Sequence, residues 1–292
     1  MPKLDLKNAI RIKGAGGEIN ALKGQGFSWT KPSGDVDPIL AYFQSTGADG
    51  AYYPIWDKST LFQDVDGTIP VENHNDPVAL SLDVSGNGLH RRQPVSTRRP
   101  QYRTDGTYHW LQYDGIDDLL YTDRGFLYTA SGSSTLLAVI NFQDTLNDKR
   151  YSFEGIGGGD TQTQDFFSLL QTGTSDNSVG VFIRPNMGGS ASVLSTSGTN
   201  LRSNRSIYKS IYDRSTSEVK MSVNIGAITG SEPVSVGTIN TNTHSFGGVR
   251  RNTNRLFTSC REYVFFGTPA LINESTLTVM QEYLASKTGV TL

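Results

Sequence analysis

Past residue 120 the chain keeps repeating one pattern, a short run rich in Val, Ile, Phe or Tyr followed by a stretch of turn-forming residues. Leu136 to Phe142, Asp165 to Leu170, Val179 to Ile183, Ile207 to Tyr212, Glu218 to Val223 and Arg261 to Phe266 are such runs. Each is short for a helix and carries the β-branched and aromatic side chains that pack on a pleated surface. Between them lie Gly155-Ile156-Gly157-Gly158-Gly159-Asp160, Asn186-Met187-Gly188-Gly189 and Ile225-Gly226, where Gly and Asn supply the backbone angles of turns. Arg214-Ser215-Thr216-Ser217 reads as the tip of a hairpin. Together with the runs around Leu82 and Tyr113, this spacing predicts two packed antiparallel sheets. Composition disfavours an all-helical alternative: of 292 residues 31 are Gly, and only 36% are hydrophobic.

The last segment departs from the pattern. Leu277, Met280 and Leu284 recur at helical spacing, Asn273 is placed to cap them, and Gly289 suits a left-handed stop. Glu274 near the start and Lys287 near the end complement the helix dipole. The spacing predicts a helix laid against the sheets.

Tyr113-Asp114-Gly115-Ile116-Asp117-Asp118-Leu119-Leu120 packs an aromatic entry, a turn and an apolar exit into one stretch. Asp114-Gly115 is a turn signal, since Asp bonds its own downstream backbone and Gly accepts positive φ. The carboxylates of Asp114, Asp117 and Asp118 can hold a metal, act on a substrate or fasten a corner. Their place at a turn, where side chains diverge, favours the corner, with Asp117 and Asp118 tying backbone amides. On that reading Asp117→Ala costs about 1 to 2 kcal/mol through a lost cap-like bond.

Residues 1–36 differ from the rest. Leu4, Leu6, Ile10 and Ile12 alternate with charged residues, which is the period of a strand with one buried face; Asn8 breaks it. Gly14 to Gly17 forms a turn, a second short run passes through Ile19 and Leu22, and Phe27 and Trp29 lie in a Gly-rich stretch ending at Lys31-Pro32-Ser33-Gly34. So small a unit cannot bury a core alone. It is either a docking and oligomerisation arm that exchanges strands with another chain, or an edge hairpin on the main domain.

Residues 37–112 read as an irregular lead-in to a domain spanning 37–292. Ile39 to Phe43 suits a short helix after Asp37-Pro38, and Gly67 to Pro70 and Ser85 to Gly88 mark turns. Arg91, Arg92, Arg98, Arg99 and Arg103 are the basic cluster, with Tyr102 and Tyr108 as its nearest aromatics. Phosphate or nucleic-acid binding wants more platforms than that, so the reading is a solvated or carboxylate-paired arm.

The formal net charge of −2 offers no general attraction to nucleic acid or an anionic membrane. One cysteine, Cys260, excludes an internal disulfide and sits in an apolar run as a small buried hydrophobe. His74, His90, His109 and His244 show no metal-ligand spacing. There is no Gly-x-Ser-x-Gly elbow and no complete Gly-x-Gly-x-x-Gly. The N-terminus lacks the layout of a signal peptide, and no apolar run is long enough to span a bilayer, so a protein without membrane insertion is expected.

Five pieces in order carry a resemblance. They are Leu61-Phe62-Gln63-Asp64 with Gly67-Thr68-Ile69-Pro70-Val71; Asp83-Val84-Ser85-Gly86-Asn87-Gly88; Arg99-Pro100; Tyr113 to Asp118; and Glu262-Tyr263 through Tyr283-Leu284-Ala285-Ser286-Lys287. Together they resemble the concanavalin A-like (laminin-G-like) jelly-roll domains of bacteriophage virion proteins, over roughly residues 55 to 290. The resemblance implies an all-β antiparallel two-sheet jelly-roll sandwich with a C-terminal helix and a small N-terminal β arm. It implies a structural role for the Asp114, Gly115, Asp117 and Asp118 corner, and a fold that binds glycans or builds particles. The Glu-x-Asp-x-Glu strand of jelly-roll glucanases is absent, so no enzyme is expected. Calcium, if held, draws on Asp83, Asn87, Asp114, Asp117 and Asp118; otherwise no cofactor is called for.

The expected protein is therefore a virion surface component, assembled in the host cytoplasm as a homo-oligomer alongside other virion proteins. It is a tail fibre recognising a host surface glycan, a decoration protein of head, collar or tail, or a polysaccharide depolymerase. Tyr52, Tyr53, Trp56, Tyr108 and Trp110 are abundant aromatics, but core burial is the better reading for any one of them, and the sequence names no sugar site.

Overall fold

The computed structural model describes residues 9–14, 17–22, 36–126, 133–143, 150–156, 166–171, 179–184, 191–195, 204–225, 230–233, 242–250 and 256–292. Strands β1 (Ala9–Gly14) and β2 (Gly17–Leu22) form an antiparallel hairpin with Ile12 opposite Ile19. This hairpin includes Ile10 and Ile12 of the arm; Leu4, Leu6, Phe27 and Trp29 lie outside the described residues. It pairs with neither of the larger sheets.

Helix α1 (Pro38–Thr46) follows, and then come β3 (Ala51–Pro54), β4 (Leu61–Phe62), β5 (Leu80–Ser81), β6 (Arg91–Arg92), β7 (Gln101–Thr104), β8 (His109–Asp114) and β9 (Leu120–Tyr121). The stretch 37–112, irregular to the eye in sequence, thus supplies β3 to β7 and the start of β8. The longer strands are β10 (Ser134–Phe142), β11 (Arg150–Ile156), β12 (Phe166–Gln171), β13 (Val179–Arg184), β14 (Ala191–Ser195), β15 (Ser206–Asp213) and β16 (Glu218–Val223). After them come β17 (Gly230–Pro233), β18 (Thr243–Phe246), β19 (Ser259–Thr268) and the closing helix α2 (Glu274–Thr288).

These strands make two antiparallel sheets. One runs β17-β16-β15-β10-β19-β8-β7, with β3 also on β19; the other runs β14-β13-β12-β11-β18-β9-β6-β5-β4. β19 is the hinge of the first sheet. Its early residues pair with β8, its later residues pair with β3, and β10 lies along its other edge with one bulge between Val139 and Ile140.

Period-2 alternation divides the apolar residues between two cores. Leu136, Ala138, Ile140, Tyr113, Tyr208 and Phe265 of the first sheet meet Leu61, Leu120, Phe153, Leu169, Val181 and Phe246 of the second. Leu137, Val139, Ile207, Val264 and Phe266 point the opposite way, onto Ile39 and Phe43 of α1 and Leu277, Met280 and Leu284 of α2. The first sheet is therefore covered on both faces, which is why β10 and β19 read as near-continuous apolar runs. Both helices are capped as their residues predict: Asp37 Oδ1 accepts from the Ile39 and Leu40 amides, and Asn273 Oδ1 accepts from the Thr276 amide at 2.9 Å. Gly289 closes α2 in the left-handed region at φ 71°. Among the described residues no helix is long and apolar enough to cross a membrane.

An ion pair sits between the sheets. Arg91 is fully buried, and its Nη1 donates to Glu262 Oε1 at 2.5 Å, while the Tyr113 hydroxyl donates to Glu262 Oε2 at 3.0 Å. The guanidinium lies over the rings of Tyr53 and Phe246, at 4.4 and 4.6 Å.

Candidate functional site

Two consecutive arginines in β6 face opposite ways. Leu61, Ser81 and Arg91 are cross-strand partners, all turned into the core. Phe62, Leu80, Arg92 and Tyr121 form the next row, and the pleat turns them to the outer face of the second sheet. Loops at both ends of these short strands wall that face into an open groove of about 570 Å³. Phe62, Leu80, Leu82 and Leu89 supply apolar lining, and His90, Arg92, Arg124, Asp66 and Asp123 supply the polar groups.

The wall carrying His90 is rigidly built. Asp83, at the start of the loop, takes hydrogen bonds from the Tyr52, Ser85 and Leu89 amides and from Ser85 Oγ. Asn87 Nδ2 donates to the carbonyls of Ala48 and Gly50. Gly86 and Gly88 turn the chain at φ 95° and 69°. His90 Nδ1 then accepts from the Asp83 amide at 3.0 Å, so in the neutral ring the proton sits on Nε2 as a free-standing donor.

The two guanidinium groups of the groove are half-exposed. Arg92 Nη2 pairs with Asp123 Oδ2. Arg124 Nη2 makes looser contacts, 3.7 Å to Asp49 Oδ1 and 3.3 Å to the Asn87 carbonyl. Beside Arg92 on the same face, the Arg250 guanidinium stacks 3.6 Å from the Tyr121 ring centre.

The acidic corner is assembled differently from its sequence reading. Asp114 Oδ1 receives the amides of Ile116, Asp117 and Asp118 at 2.8, 3.3 and 3.4 Å, and Asp118 Oδ2 receives the Asp114 amide at 3.0 Å. Among the described residues Asp117 ties no amide. Its carboxylate stands 3.8 Å from Arg98 Nε, so the cap-like bond expected of it belongs to Asp114. Gly115 has φ 78°, and a Cβ there would lie 2.9 Å from the Ser259 amide. Burial first, then the charge of Asp114, pushes the Asp118 carboxyl up to about 7. The carboxylate oxygens of Asp114, Asp117 and Asp118 lie within 4.8 Å of one another, while Asp83 is not among them. Asp83 and Asn87 serve the His90 loop instead, so only three of the five residues named for calcium come together.

The arginine cluster is not one surface. Arg91 is core, Arg92 and Arg98 meet carboxylates, and Arg99 donates to the carbonyls of Gln93, Gln63 and Pro94. Arg103 contacts His74 and Gln101. Cys260 is buried, and so are Tyr52, Tyr53 and Trp110, whereas Trp56 and Tyr108 are partly exposed. Sequence reasoning missed the groove. Its floor comes from strands of two residues, too short for alternation to show, and Asp123 and Arg124 carry no motif; Arg91-Arg92 was the one visible signal.

No protein-family model matches the chain, and a search of curated proteins finds no match. Solved structures do superpose on it. The receptor binding domain of botulinum neurotoxin D covers 80% of this chain at 11% identity with a TM-score of 0.55. The ligand binding domain of botulinum neurotoxin serotype D in complex with N-acetylneuraminic acid covers 84% at 10% identity, also with a TM-score of 0.55. The NanB sialidase of Streptococcus pneumoniae covers 54% with a TM-score of 0.44, a likeness that carries no argument. The chain spans about half the length of the neurotoxin domains, 52% in each case. At such identities the shared feature is the fold, a two-sheet antiparallel sandwich, concanavalin A-like; in this chain α2 packs against the first sheet.

Proposed function

We propose that the chain is a non-enzymatic carbohydrate-binding protein of a virion surface, recognising a host polysaccharide as part of a tail fibre. The observation that carries the binding is the groove on the outer face of the second sheet, where an apolar floor meets outward guanidinium, imidazole and carboxylate groups. Sugars present that combination in reverse, a C–H face and a ring of hydroxyls. The neurotoxin domain solved with N-acetylneuraminic acid supports the class of ligand, and the virion setting rests on the sequence resemblance. Contact without chemistry is the reading because, of the three carboxylates that gather at the corner, Asp114 and Asp118 accept its backbone amides and Asp117 faces Arg98.

The test is a glycan array probed with the whole chain, alongside a low-resolution map of particles carrying a label on it. Retention of a defined glycan and a few copies at a tail tip support the proposal. No retained glycan and a copy on every capsomer would make it a decoration protein, and release of reducing ends from host capsule would make it a depolymerase. The β1–β2 hairpin, which joins neither large sheet, is proposed as the arm that docks on other virion proteins and on copies of itself. Deleting residues 1–36 should leave a folded domain that no longer enters particles; undiminished incorporation would refute the arm.

A further inference from the structure

We infer that the groove takes an acidic saccharide, its carboxylate held by Arg92 and Arg124 while its ring rests on Phe62 and Leu80. The inference rests on the carbohydrate reading above and narrows the ligand. A guanidinium carries five N–H donors in a planar fork. Arg92 commits one nitrogen, Nη2, to Asp123, and Arg124 commits one, Nη2, to a carboxylate 3.7 Å away and a carbonyl at 3.3 Å. Among the described residues most of the fork on each is therefore unused at the mouth of the groove, and His90 adds the Nε2–H fixed by the Asp83 amide. A carboxylate takes such forks two bonds at a time, which a hydroxyl cannot do. The Arg92–Asp123 pair is exposed, and exposed pairs contribute little, so exchanging Asp123 for a ligand carboxylate costs little. Asp66, the other carboxylate of the lining, is left to accept from sugar hydroxyls. Among the charged lining groups Arg92 and Arg124 stand against Asp66 and Asp123, two of each sign. The attraction is thus short-range and directional, and the groove selects by geometry more than by field.

The test compares sialyl- and uronate-terminated oligosaccharides with the same compounds methyl-esterified at the carboxylate, by equilibrium binding to the whole chain. Esterification should weaken binding roughly tenfold or more, and Arg92→Gln and Arg124→Gln should each do the same. A second pair of variants separates charge from bulk. Gly88 lines the groove at φ 69° with open space where a Cβ would stand, and Asn and Asp tolerate that conformation. Gly88→Asp should abolish binding of the acids, while Gly88→Asn should retain most of it. Esters that bind as well as the acids, with Arg92→Gln neutral, would overturn the acidic ligand and leave the carbohydrate reading standing. Folded protein that retains neither acids nor esters would overturn both.

Discussion

Glu262→Ala is the most informative single change, because it strips the counterion from a guanidinium that has no route to water. Arg91 is fully buried and the Glu262 side chain is 5% exposed. Among the described residues Arg91 Nε and Nη2 have no acceptor, so losing the Nη1–Oε1 bond removes the one hydrogen bond the guanidinium makes to them. Breaking a buried pair from one side costs about 3 to 5 kcal/mol. Burial first, then the Glu262 carboxylate, holds the Tyr113 phenol well above its ordinary pKa; it stays a donor, and orphaning it adds about 1 kcal/mol. The Tyr53 and Phe246 rings flank the guanidinium with and without Glu262, so their contribution cancels in the difference. The net loss is about 4 to 6 kcal/mol, a large share of the roughly 5 to 15 that a domain possesses. The triple change Arg91→Met, Glu262→Leu, Tyr113→Phe removes every partner together and should fall within about 1 kcal/mol of wild type or above it. Urea denaturation read by fluorescence and by circular dichroism, with coincident transitions, gives these values. A loss below about 1 kcal/mol for Glu262→Ala, or a triple variant as unstable as the single one, would refute the account of a sealed, mutually dependent cluster.

At the corner, Asp114→Ala should cost about 1 to 2 kcal/mol through its lost amide acceptor, while Asp117→Ala should stay within about 0.5 kcal/mol in the same denaturation assay. Asp118 holds its proton more tightly folded, near 7, than at its ordinary 3.8, so the wild type loses stability as pH rises between those values and the loss is complete above them. Asp118→Asn keeps an acceptor for the Asp114 amide without that titration, and its melting temperature should rise relative to wild type from about pH 4 to about pH 8; a constant difference would contradict the raised carboxyl. Asn273→Ala should cost about 1 kcal/mol through the α2 cap, checked by thermal melts.

The fold was legible where elements are long. Glu218 to Val223 and Val179 to Ile183 each carry enough alternating or β-branched residues to declare a strand, and Asn273, Leu277, Met280, Leu284 and Gly289 spell a capped helix with an apolar stripe. The reach of β10 and β19 was visible for the opposite reason, since burial on both faces makes the run unbroken. Within residues 61–92 the run around Leu82 announced β5, while β4 and β6 were opaque because they have two residues each, and period 2 needs more than one cycle to be seen. The groove inherits that opacity. Arg91 and Arg92 look alike in sequence, and only pairing with Ser81 and Leu80 tells which enters the core. The corner was half legible: turn chemistry found Asp114-Gly115, but which carboxylate receives which amide depends on side-chain directions that spacing does not fix.

The ion pair in the core and the groove outside it are linked through the register of β6. Its two residues are held by a minimal ladder, Leu80 opposite Arg92 and Ser81 opposite Arg91. A slip of one residue would send Arg92 into the core and turn Arg91 out, because the side-chain period is 2. Glu262 meets a guanidinium at only one of the two positions, and a polar partner in an apolar core is one way of pinning register. The hypothesis is that the pair, which stability does not require, serves the groove by aiming Arg92. Replacing Arg91, Glu262 and Tyr113 by Met, Leu and Phe separates the roles, since apolar filling restores stability with no preference for which residue of β6 faces inward. That variant should melt like wild type yet bind acidic oligosaccharide more weakly; full binding would show that Leu80, Tyr121 and the Asp123 contact hold the register without the buried charge.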